Sequence, residues 1–452
     1  MGLLLDFVYL IACLVLSPWL LFRLATAQGR HAMPMRFGRQ LGGPLRGSIW
    51  LHGSSAGEVA LLKPLVSLLE RDFPDAPVIV SAFTVTGLAA AQRLYPRHRV
   101  VAFPFDFSFV VKRCLTVLDP RLVIIVESEF WPNFIGYARR RQIPVALVNG
   151  KMSLKSQRRY ARSRLVPQAL KKLDLLAVQN EEHAARFRSL GVAPDRIRVT
   201  GNMKYDLAGT AVDSSGPSLR SALGYTADDA VIIGGSLHAP EDEALLEAYA
   251  AARAANERTA LILVPRYPDD ARSVADHVRA AGHHAVLKTD VAAGREGAPG
   301  RTGVLVVDTV GELGSLYGAA DVAFVGGSLY FRGANKGGHN LMEPAILGVP
   351  VLFGPYNVSF KDTVDDLLTA GAGEVVHDSG ELAAAVTELV THPTARSERG
   401  ALAQRVVRAG QGATARNYAL LVDLLGVQPR RLQHQAFDRK MPRAVSGPDS
   451  SL

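Results

Sequence analysis

Short runs of apolar, mostly β-branched residues recur along the chain, and stretches with helical spacing separate them, as between residues 59 and 69. Continuous apolar runs of this length are typical of strands buried on both faces of a parallel sheet, which successive βαβ units build. We therefore predict an α/β fold. The predicted strands cover residues 49–52, 78–80, 122–126 and 145–148 in the first half, and 231–233, 261–264, 304–307, 322–325 and 351–353 in the second.

A polar segment of small residues, 207–229, interrupts this series and predicts a link between two domains. A chain of 452 residues is also longer than one core usually supports. We expect a membrane anchor over residues 1–25, Rossmann-like domains over 26–210 and 225–425, and a flexible tail over 428–452. Loops after the carboxyl ends of the strands then supply the chemistry, in a cleft between the two domains.

The leader is long enough to reach across a bilayer, because residues 3–22 are apolar apart from Asp6, Tyr9, Ser17 and Pro18. The sequence Ala25-Thr26-Ala27 imitates a cleavage site, so a removed signal peptide is the alternative. No Lys or Arg precedes the apolar run, whereas five arginines follow it before Glu58. Under the positive-inside rule we predict an uncleaved anchor, spanning or shallow, with the folded part on the cytoplasmic side of the membrane.

The net charge of +9 is concentrated in one stretch, since no acidic residue lies between Glu129 and Asp174. Three interpretations are open: a solvated helix face, a surface that meets phosphate, and a nucleic-acid site. We expect no nucleic-acid partner, because Tyr160 is the one aromatic residue between Arg139 and Lys172. The eleven cations are Arg139, Arg140, Arg141, Lys151, Lys155, Arg158, Arg159, Arg162, Arg164, Lys171 and Lys172.

Cysteine content points to a reducing compartment. The chain has only Cys13 and Cys114, and Cys13 lies in the apolar leader, so a structural disulfide is not expected. No Cys/His cluster with metal-ligand spacing occurs, and we expect neither a metal nor a cofactor.

The first candidate site, residues 53–58, follows a predicted strand and opens a helix. Ser55 and Glu58 fit the S-x-x-E capping box. Gly53, Ser55 and Gly57 also fit the nucleophile elbow of α/β hydrolases, although here the segment follows the first strand. Glu58 is in addition a candidate general base, and the helix dipole is expected to stabilise its ionised form and lower its basicity.

A second candidate site follows the predicted strand 122–126. Glu127 and Glu129 alternate on an extended backbone, so both carboxylates are expected on one side at the strand end. Their repulsion would require balancing charge, for which the nearby arginines and a bound substrate are both candidates. Two solvated acids are the alternative interpretation.

Candidate phosphate and ribose contacts lie in the second half. Gly234-Gly235-Ser236 and Gly326-Gly327-Ser328 each end a strand, where glycine lets backbone amides approach a phosphate. Arg266 brings a cation to another strand end. Asn340 and Glu343 fit either a helix cap or a carboxylate that accepts hydrogen bonds from a ribose diol.

Together these segments resemble the 3-deoxy-D-manno-octulosonic acid (Kdo) transferases over nearly the whole chain, from Arg36 to about residue 425. Six motifs in order are far more specific than any one of them. They are His52-Gly53-Ser54-Ser55-Ala56-Gly57-Glu58, Glu127-Ser128-Glu129-Phe130-Trp131-Pro132-Asn133, Gly201-Asn202-Met203-Lys204-Tyr205-Asp206, Val264-Pro265-Arg266, Asp308-Thr309-Val310-Gly311-Glu312-Leu313 and residues 337–344. One departure is the connection before residue 337, which Arg332-Gly333-Ala334-Asn335-Lys336 lengthens.

The resemblance implies a GT-B glycosyltransferase with an acceptor-binding N-terminal domain and a CMP-sugar-binding C-terminal domain. It implies CMP-Kdo as donor, a lipid A precursor (lipid IVA) as acceptor, and inversion at the anomeric carbon without a metal. Glu58 is implied as the base, and Glu129 and Lys204 as residues that support the transition state. The implied CMP contacts are Pro265, Arg266, Val310, Gly311, Glu312, Asn340, Leu341, Met342 and Glu343.

Two other readings of the chain remain open. One is a GT-B glycosyltransferase or an epimerase of the same fold that uses another nucleotide sugar. The other is a membrane-bound lipid-binding protein without catalysis, against which the joint presence of Glu58, Lys204 and Arg266 argues.

Overall fold

The computed structural model describes residues 5–7, 9–11, 27–163, 165–210, 216–333 and 337–426. The chain divides into two compact units, of which the first comprises Met1–Asp206 and Gly412–Leu452 and the second Leu207–Gln411. The boundary at Asp206 lies at the start of the polar segment predicted to link two domains. The predicted second domain ended at residue 425, and this boundary is corrected to 411, because the last helix belongs to the first unit.

A parallel sheet of seven strands forms the centre of the first unit, in the order β3-β2-β1-β4-β5-β6-β7. Alternate residues of β1 enter two different hydrophobic clusters, Ile49 and Leu51 on one face and Trp50 on the other. Both faces of the sheet are therefore covered, as its apolar runs predict. The strands are β1 Ile49–His52, β2 Val78–Ala82, β3 Arg99–Ala102, β4 Leu122–Val126, β5 Val145–Gly150, β6 Leu175–Val178 and β7 Ile197–Val199.

Helices connect these strands, and side-chain caps mark where several begin. Ser55 caps α2 and Asn180 caps α9, each accepting a backbone N–H of the first helical turn. The helical stretch predicted for 59–69 is two helices, α2 and α3, that meet at Leu62. The helices are α1 Ala27–Arg36, α2 Ala56–Leu61, α3 Lys63–Asp72, α4 Val85–Leu94, α5 Ser108–Leu118, α6 Pro132–Arg140, α7 Leu154–Ala161, α8 Leu165–Leu170, α9 Glu181–Ser189 and α10 Lys204–Thr210.

The second unit is built on another seven-stranded parallel sheet, in the order β10-β11-β9-β8-β12-β13-β14. Its strands are β8 Ala230–Leu237, β9 Thr259–Pro265, β10 His284–Leu287, β11 Gly303–Val306, β12 Val322–Val325, β13 Val351–Phe353 and β14 Gly373–Val375. Its helices are α11 Gly216–Ala222, α12 Glu241–Ala255, α13 Ala271–Ala280, α14 Lys288–Ala292, α15 Leu313–Tyr317, α16 Met342–Ile346, α17 Lys361–Thr369, α18 Ser379–Thr391 and α19 Pro393–Gly410.

The final helix, α20 (Ala413–Leu425), returns to the first unit. Asp206 accepts the backbone N–H groups of Gly412 and Thr414 at the start of this helix. Farther along, the Tyr418 hydroxyl donates to the buried Asp72 carboxylate at 2.7 Å. These polar contacts and the burial of Leu421 make α20 part of the first unit.

Most of the predicted anchor and all of the predicted tail lie outside the described residues. Of the leader, residues 5–7 and 9–11 are helical. Within the described part of the chain, none of the helices has both the length and the apolar content that a bilayer crossing requires.

Candidate functional site

The first unit brings two of the predicted motifs to one edge of its sheet. β1 pairs with both β2 and β4, so the strand order reverses at this point and the chains leaving β1 and β4 diverge. Such a switch point at the carboxyl ends of parallel strands is the usual location of a ligand site. Residues 53–58 follow β1 and residues 127–131 follow β4.

Glu58 lies in the first turn of α2 and is half-buried. One carboxylate oxygen accepts the Ser54 backbone N–H at 2.9 Å, and the other accepts the Ser55 hydroxyl at 3.0 Å. The Ser55 oxygen in turn accepts the Glu58 backbone N–H. The capping interpretation of this motif is therefore confirmed, and Ser55 acts as the helix cap.

The same carboxyl group has an acid–base property that the cap alone does not predict. Burial raises the pKa of Glu58 to about 7, and the negative charges of Glu127 and Glu129 raise it further. The hydrogen bonds from Ser54 and Ser55 oppose this shift. The helix dipole and the amide were expected to lower the basicity of this group. That expectation is wrong, because desolvation and like charge outweigh them.

Glu127 is buried at the end of β4 and lies between two lysines. Its Oε2 is 2.6 Å from Lys151 Nζ, and its Oε1 is 3.7 Å from Lys204 Nζ. Glu127 adopts the left-handed backbone conformation, with φ of 64°, so the strand bends at this residue. Lysines, rather than the predicted arginines, therefore balance Glu127.

Glu129 lies two residues further along and is half-buried. Burial raises the pKa of its carboxyl group, and a hydrogen bond from the Ser54 side chain opposes that shift. Ser54 thus contacts both predicted catalytic carboxyl groups, Glu58 through its backbone and Glu129 through its side chain. Sequence reasoning placed Ser54 in the motif but gave it no role.

Lys204 is placed by the loop that follows β7. The Asn149 side chain, at the end of β5, accepts the Met203 backbone N–H at 2.9 Å, and the Asn202 side chain accepts that of Lys204 at 3.0 Å. Both asparagines fix the loop so that Lys204 reaches Glu127. The structure thus pairs Lys204 with Glu127 and adds Lys151, which the sequence placed only in the basic stretch.

The second unit contains a cavity of about 500 Å³ at the carboxyl ends of β8 and β9. Its lining includes Ser236, Arg266, Gly311, His339, Asn340 and Glu343. Arg266 directly follows β9, and its backbone N–H is held by the Leu237 carbonyl at 2.8 Å. A cation, an amide and a carboxyl group around one cavity suit a ligand that carries both phosphate and hydroxyl groups.

Asn340 and Glu343 lie at the start of α16. The Asn340 side chain accepts the Met342 backbone N–H at 3.1 Å and donates to Glu343 Oε1 at 3.0 Å. Burial raises the pKa of the Glu343 carboxyl, while the Asn340 hydrogen bond opposes the shift. The N-cap residue of α16 is Leu341, so Asn340 closes a turn just before the helix and does not cap it. Glu343 lines the cavity.

The other predicted donor contacts do not reach this cavity with their side chains. Pro265, Leu341 and Met342 are buried in the unit. Val310 is 82% exposed. Glu312 binds Lys288 Nζ at 2.8 Å and accepts the Thr309 hydroxyl, and these hydrogen bonds overcome burial and lower its pKa.

One of the two glycine turns, Gly326-Gly327-Ser328, is occupied by the protein itself. The buried carboxylate of Glu241 accepts the backbone N–H groups of Gly327, Ser328 and Leu329, and that of His238. The predicted phosphate site at Gly326-Gly327-Ser328 is therefore wrong, because an internal anion holds its amides. Gly235 has a packing role, since a Cβ there would lie 2.0 Å from the Tyr317 hydroxyl.

A histidine pair beside the cavity was missed by sequence reasoning. His238 Nε2 lies 2.9 Å from His339 Nε2, and the rings stack at 5.2 Å. Burial lowers the pKa of both imidazoles to about 4, and Arg266 and Arg332 add to the effect. No local signal links these residues, because 101 positions separate them.

The basic stretch contains both paired and exposed cations. Arg139 pairs with Asp174, and Arg141 with Asp119. Helix α7 buries none of its residues and carries Lys155, Arg158 and Arg159 on its exposed surface. Arg164 lies outside the described residues. Among the residues that the structure covers, no group of three or more His, Cys, Asp or Glu side chains could hold a metal ion.

Comparison with known proteins adds independent findings. Residues 31–207 match the family described as 3-deoxy-D-manno-octulosonic-acid transferase (kdotransferase). The 3-deoxy-D-manno-octulosonic acid transferase of Bordetella pertussis is 33% identical over 440 residues, which cover 93% of this chain and 99% of that protein. The enzyme of the same description from Haemophilus influenzae is 31% identical over 83% of this chain and 86% of its own.

A solved structure shows the same fold at low identity. The UDP-GlcNAc 2-epimerase from Neisseria meningitidis is 11% identical and covers 80% of this chain and 99% of its own, with a TM-score of 0.54. That likeness concerns the fold alone. The identity to relatives across almost their whole length is decisive for the family: the chain belongs to the 3-deoxy-D-manno-octulosonic acid transferases, a family of glycosyltransferases.

Proposed function

We propose that this protein transfers Kdo from CMP-Kdo to a phosphorylated glycolipid precursor of lipid A, lipid IVA, in lipopolysaccharide biosynthesis. The reaction inverts the anomeric carbon and uses no metal. The GT-B arrangement of the two domains is part of the proposal. The names of the relatives support Kdo as the sugar and glycosyl transfer as the reaction class. The raised pKa of Glu58 supports its role as the general base.

The observation that carries the proposal is a carboxyl group with a pKa of about 7 at a strand-end switch point. A general base works best when its pKa lies near the working pH. In the proposed step, a lipid hydroxyl forms the new bond to the anomeric carbon and gives its proton to Glu58. The bond between that carbon and the CMP phosphate oxygen breaks, and the electron pair leaves with CMP.

Charged neighbours support this step. Lys204 is half-buried and brings positive charge to the same carboxylate cluster. We assign Lys204 and Glu129 to support of the transition state. Lys204 offers positive charge as negative charge moves onto the leaving phosphate. Glu127 holds Lys151 and Lys204 in place.

The cavity of the second unit is the proposed CMP site. Arg266 offers charge to the phosphate, while Asn340 and Glu343 offer hydrogen-bonding groups to the nucleoside. Pro265, Val310, Gly311, Glu312, Leu341 and Met342 complete the proposed donor segments through their backbones.

The acceptor and the membrane are proposed from charge and apolar pattern. The exposed cations of α7 suit the phosphates of a lipid A precursor. The apolar leader attaches the protein to the inner membrane, with both domains on the cytoplasmic side.

The direct test is to incubate the purified protein with CMP-Kdo and lipid IVA and to measure the mass of the glycolipid. We expect a mass increase of whole Kdo units. With Glu58→Gln, turnover should fall by about two to four orders of magnitude, because a base of this kind contributes that much. CMP binding, measured by calorimetry, should be unchanged.

Glu388→Gln is a matched control, since Glu388 is exposed on α18 in the second unit. This variant should retain full turnover. Transfer from UDP-N-acetylglucosamine but not from CMP-Kdo would contradict the proposed donor. Full activity of Glu58→Gln would contradict the assigned base alone.

A further inference from the structure

The two polar residues of the first half of the leader, Asp6 and Tyr9, contact the folded first unit. Asp6 Oδ1 accepts the Ser108 backbone N–H at 2.8 Å and the Asn133 side-chain N–H at 3.1 Å. The Tyr9 hydroxyl donates to Asp106 Oδ2 at 3.0 Å. A carboxylate is costly inside a hydrocarbon layer, and here it caps the start of α5 instead.

The Asp106 side chain, which Tyr9 contacts, is itself held by hydrogen bonds within the first unit. Asp106 is buried and accepts the backbone N–H groups of Asn133 and Phe134, at 3.0 and 2.7 Å, in the first turn of α6. Leu5 is buried as well. Residues 5–7 and 9–11 are therefore held on the unit by one face, through Leu5, Asp6 and Tyr9.

The opposite face of this segment is apolar and exposed. Phe7, Leu10 and Ile11 are spaced as one helical face and are 61, 52 and 46% exposed. The patch continues onto α5, where Phe109 is 64% exposed. Ring contacts connect the two parts, from Tyr9 to Phe107 and from Phe107 to Phe109, each at 5.8 Å.

We propose that leader residues 5–7 and 9–11, together with Phe109, form one in-plane contact with the surface of an anionic phospholipid bilayer, and that the leader does not cross it. The proposal rests on the membrane attachment proposed above and specifies its mode. Phe7, Leu10, Ile11 and Phe109 enter the boundary between headgroups and acyl chains, as the apolar side of an interfacial helix does.

Two features identify a lipid surface as the occupant of this patch. The chain beyond Ile11 continues with eleven residues, 12–22, that contain no charged residue, so the apolar surface is extended in sequence. Lys112 is exposed one helical turn after Phe109 and offers a cation to anionic headgroups.

Chain length excludes a crossing while the leader is docked. Residues 12–26 join two segments that belong to the same unit. Fifteen residues reach about 55 Å at full extension, whereas crossing a hydrocarbon core of about 30 Å and returning requires roughly 60 Å. Gly2 is three positions from Leu5, a chain length of about 10 Å at most, so the proposal expects Gly2 on the side of the folded unit.

A topology experiment tests this directly in a Gram-negative host. Gly2→Cys and Ser67→Cys are each introduced with Cys13→Ser, and cells are treated with a membrane-impermeant maleimide. Ser67 is exposed on α3 and reports the side of the folded unit. The Cys13→Ser protein without a new cysteine gives the background, because Cys114 is buried.

We expect that intact spheroplasts leave both new cysteines unlabelled and that lysed cells label both. Labelling of Gly2→Cys in intact spheroplasts, with Ser67→Cys protected, would show a spanning leader and overturn the proposal.

Phe109 provides a second measurement, because a spanning leader gives it no role. Phe109→Ser should weaken binding to phosphatidylglycerol vesicles about three- to tenfold in a flotation assay. Phe331→Ser is the matched control, since Phe331 is 65% exposed in the second unit and should leave binding unchanged. Equal binding of Phe109→Ser and the parent protein would overturn the in-plane contact. Loss of all vesicle binding by the parent would instead contradict membrane attachment itself, and transfer of Kdo is measured separately.

Discussion

Glu58 shows how the surroundings of a single carboxyl group decide its chemistry. Two hydrogen bonds at a helix start favour its ionised form, yet burial and the carboxylates of Glu127 and Glu129 raise its pKa to about 7. The sequence shows the cap, because Ser55 and Glu58 are only three positions apart in the chain. It does not show the desolvation or the like charges, because β1 and β4 bring Glu58 and Glu127 together only in the fold.

The raised pKa predicts how activity depends on pH. Glu58 accepts a proton only when ionised, so kcat/KM should fall as pH decreases through about 7, with a slope of one. Glu127→Gln removes a neighbouring negative charge and with it the ion pairs of Glu127 with Lys151 and Lys204. Both changes lower the pKa of Glu58, so the acidic limb should move to lower pH. A pH–rate profile measures this, with Glu388→Gln as the variant that keeps the limb at its original position. A limb that stays fixed in Glu127→Gln would argue against Glu58 as its source.

At the scale of elements, the apolar pattern located central strands better than edge strands. Four of the five strands that the pattern missed, β3, β7, β10 and β14, lie at the edges of the two sheets. Edge strands are open on one side, and β3, β7 and β10 include Arg99, Arg198 and His284. Their apolar runs are therefore short or interrupted. The fifth strand, β6, is a continuous apolar run and was nevertheless not predicted.

The turn held by Glu241 yields a stability prediction for the second unit. Each oxygen of this carboxylate accepts two backbone N–H groups. In Glu241→Gln an NH2 group replaces one of the oxygens, so two backbone N–H donors lose their acceptor and face another donor. We expect a loss of about 3 kcal/mol or more in the free energy of unfolding. Denaturant titration of the variant measures it.

Glu247→Gln is the control for this prediction. It is the same substitution on the same helix, α12, at an exposed position, and should change stability by less than about 0.5 kcal/mol. Similar effects of the two substitutions would contradict the role of Glu241 as an internal anion in this turn.

At the scale of the whole molecule, the chain leaves the first unit and returns to it. The pattern of apolar runs places α20 after the second unit, because the sequence is read in order. The tertiary contacts of Asp206, Asp72 and Thr200 place it on the first unit instead.

Removal of α20 should therefore destabilise the first unit. A chain ended after Gln411 loses the Asp206 and Asp72 contacts and the buried Ala413, Asn417 and Leu421 side chains. The expected cost is on the order of 5 kcal/mol. A chain ended after Gly426 keeps α20 and is the control. Hydrogen exchange measured by mass spectrometry should show lost protection in β1–β7 only for the shorter chain. Unchanged protection there would contradict the assignment of α20.

The sequence by itself determined the alternation of strands and helices, two α/β halves, and the motifs that carry the family resemblance. These are local properties, because residues close together in the sequence determine both a strand that is apolar on both faces and a helix cap. Only the tertiary structure decided that lysines balance Glu127, that Glu241 occupies the glycine turn, that His238 meets His339, and that Asp6 and Tyr9 dock the leader. Each of these depends on side chains far apart in the chain, whose distances and desolvation arise only when the strands and loops come together.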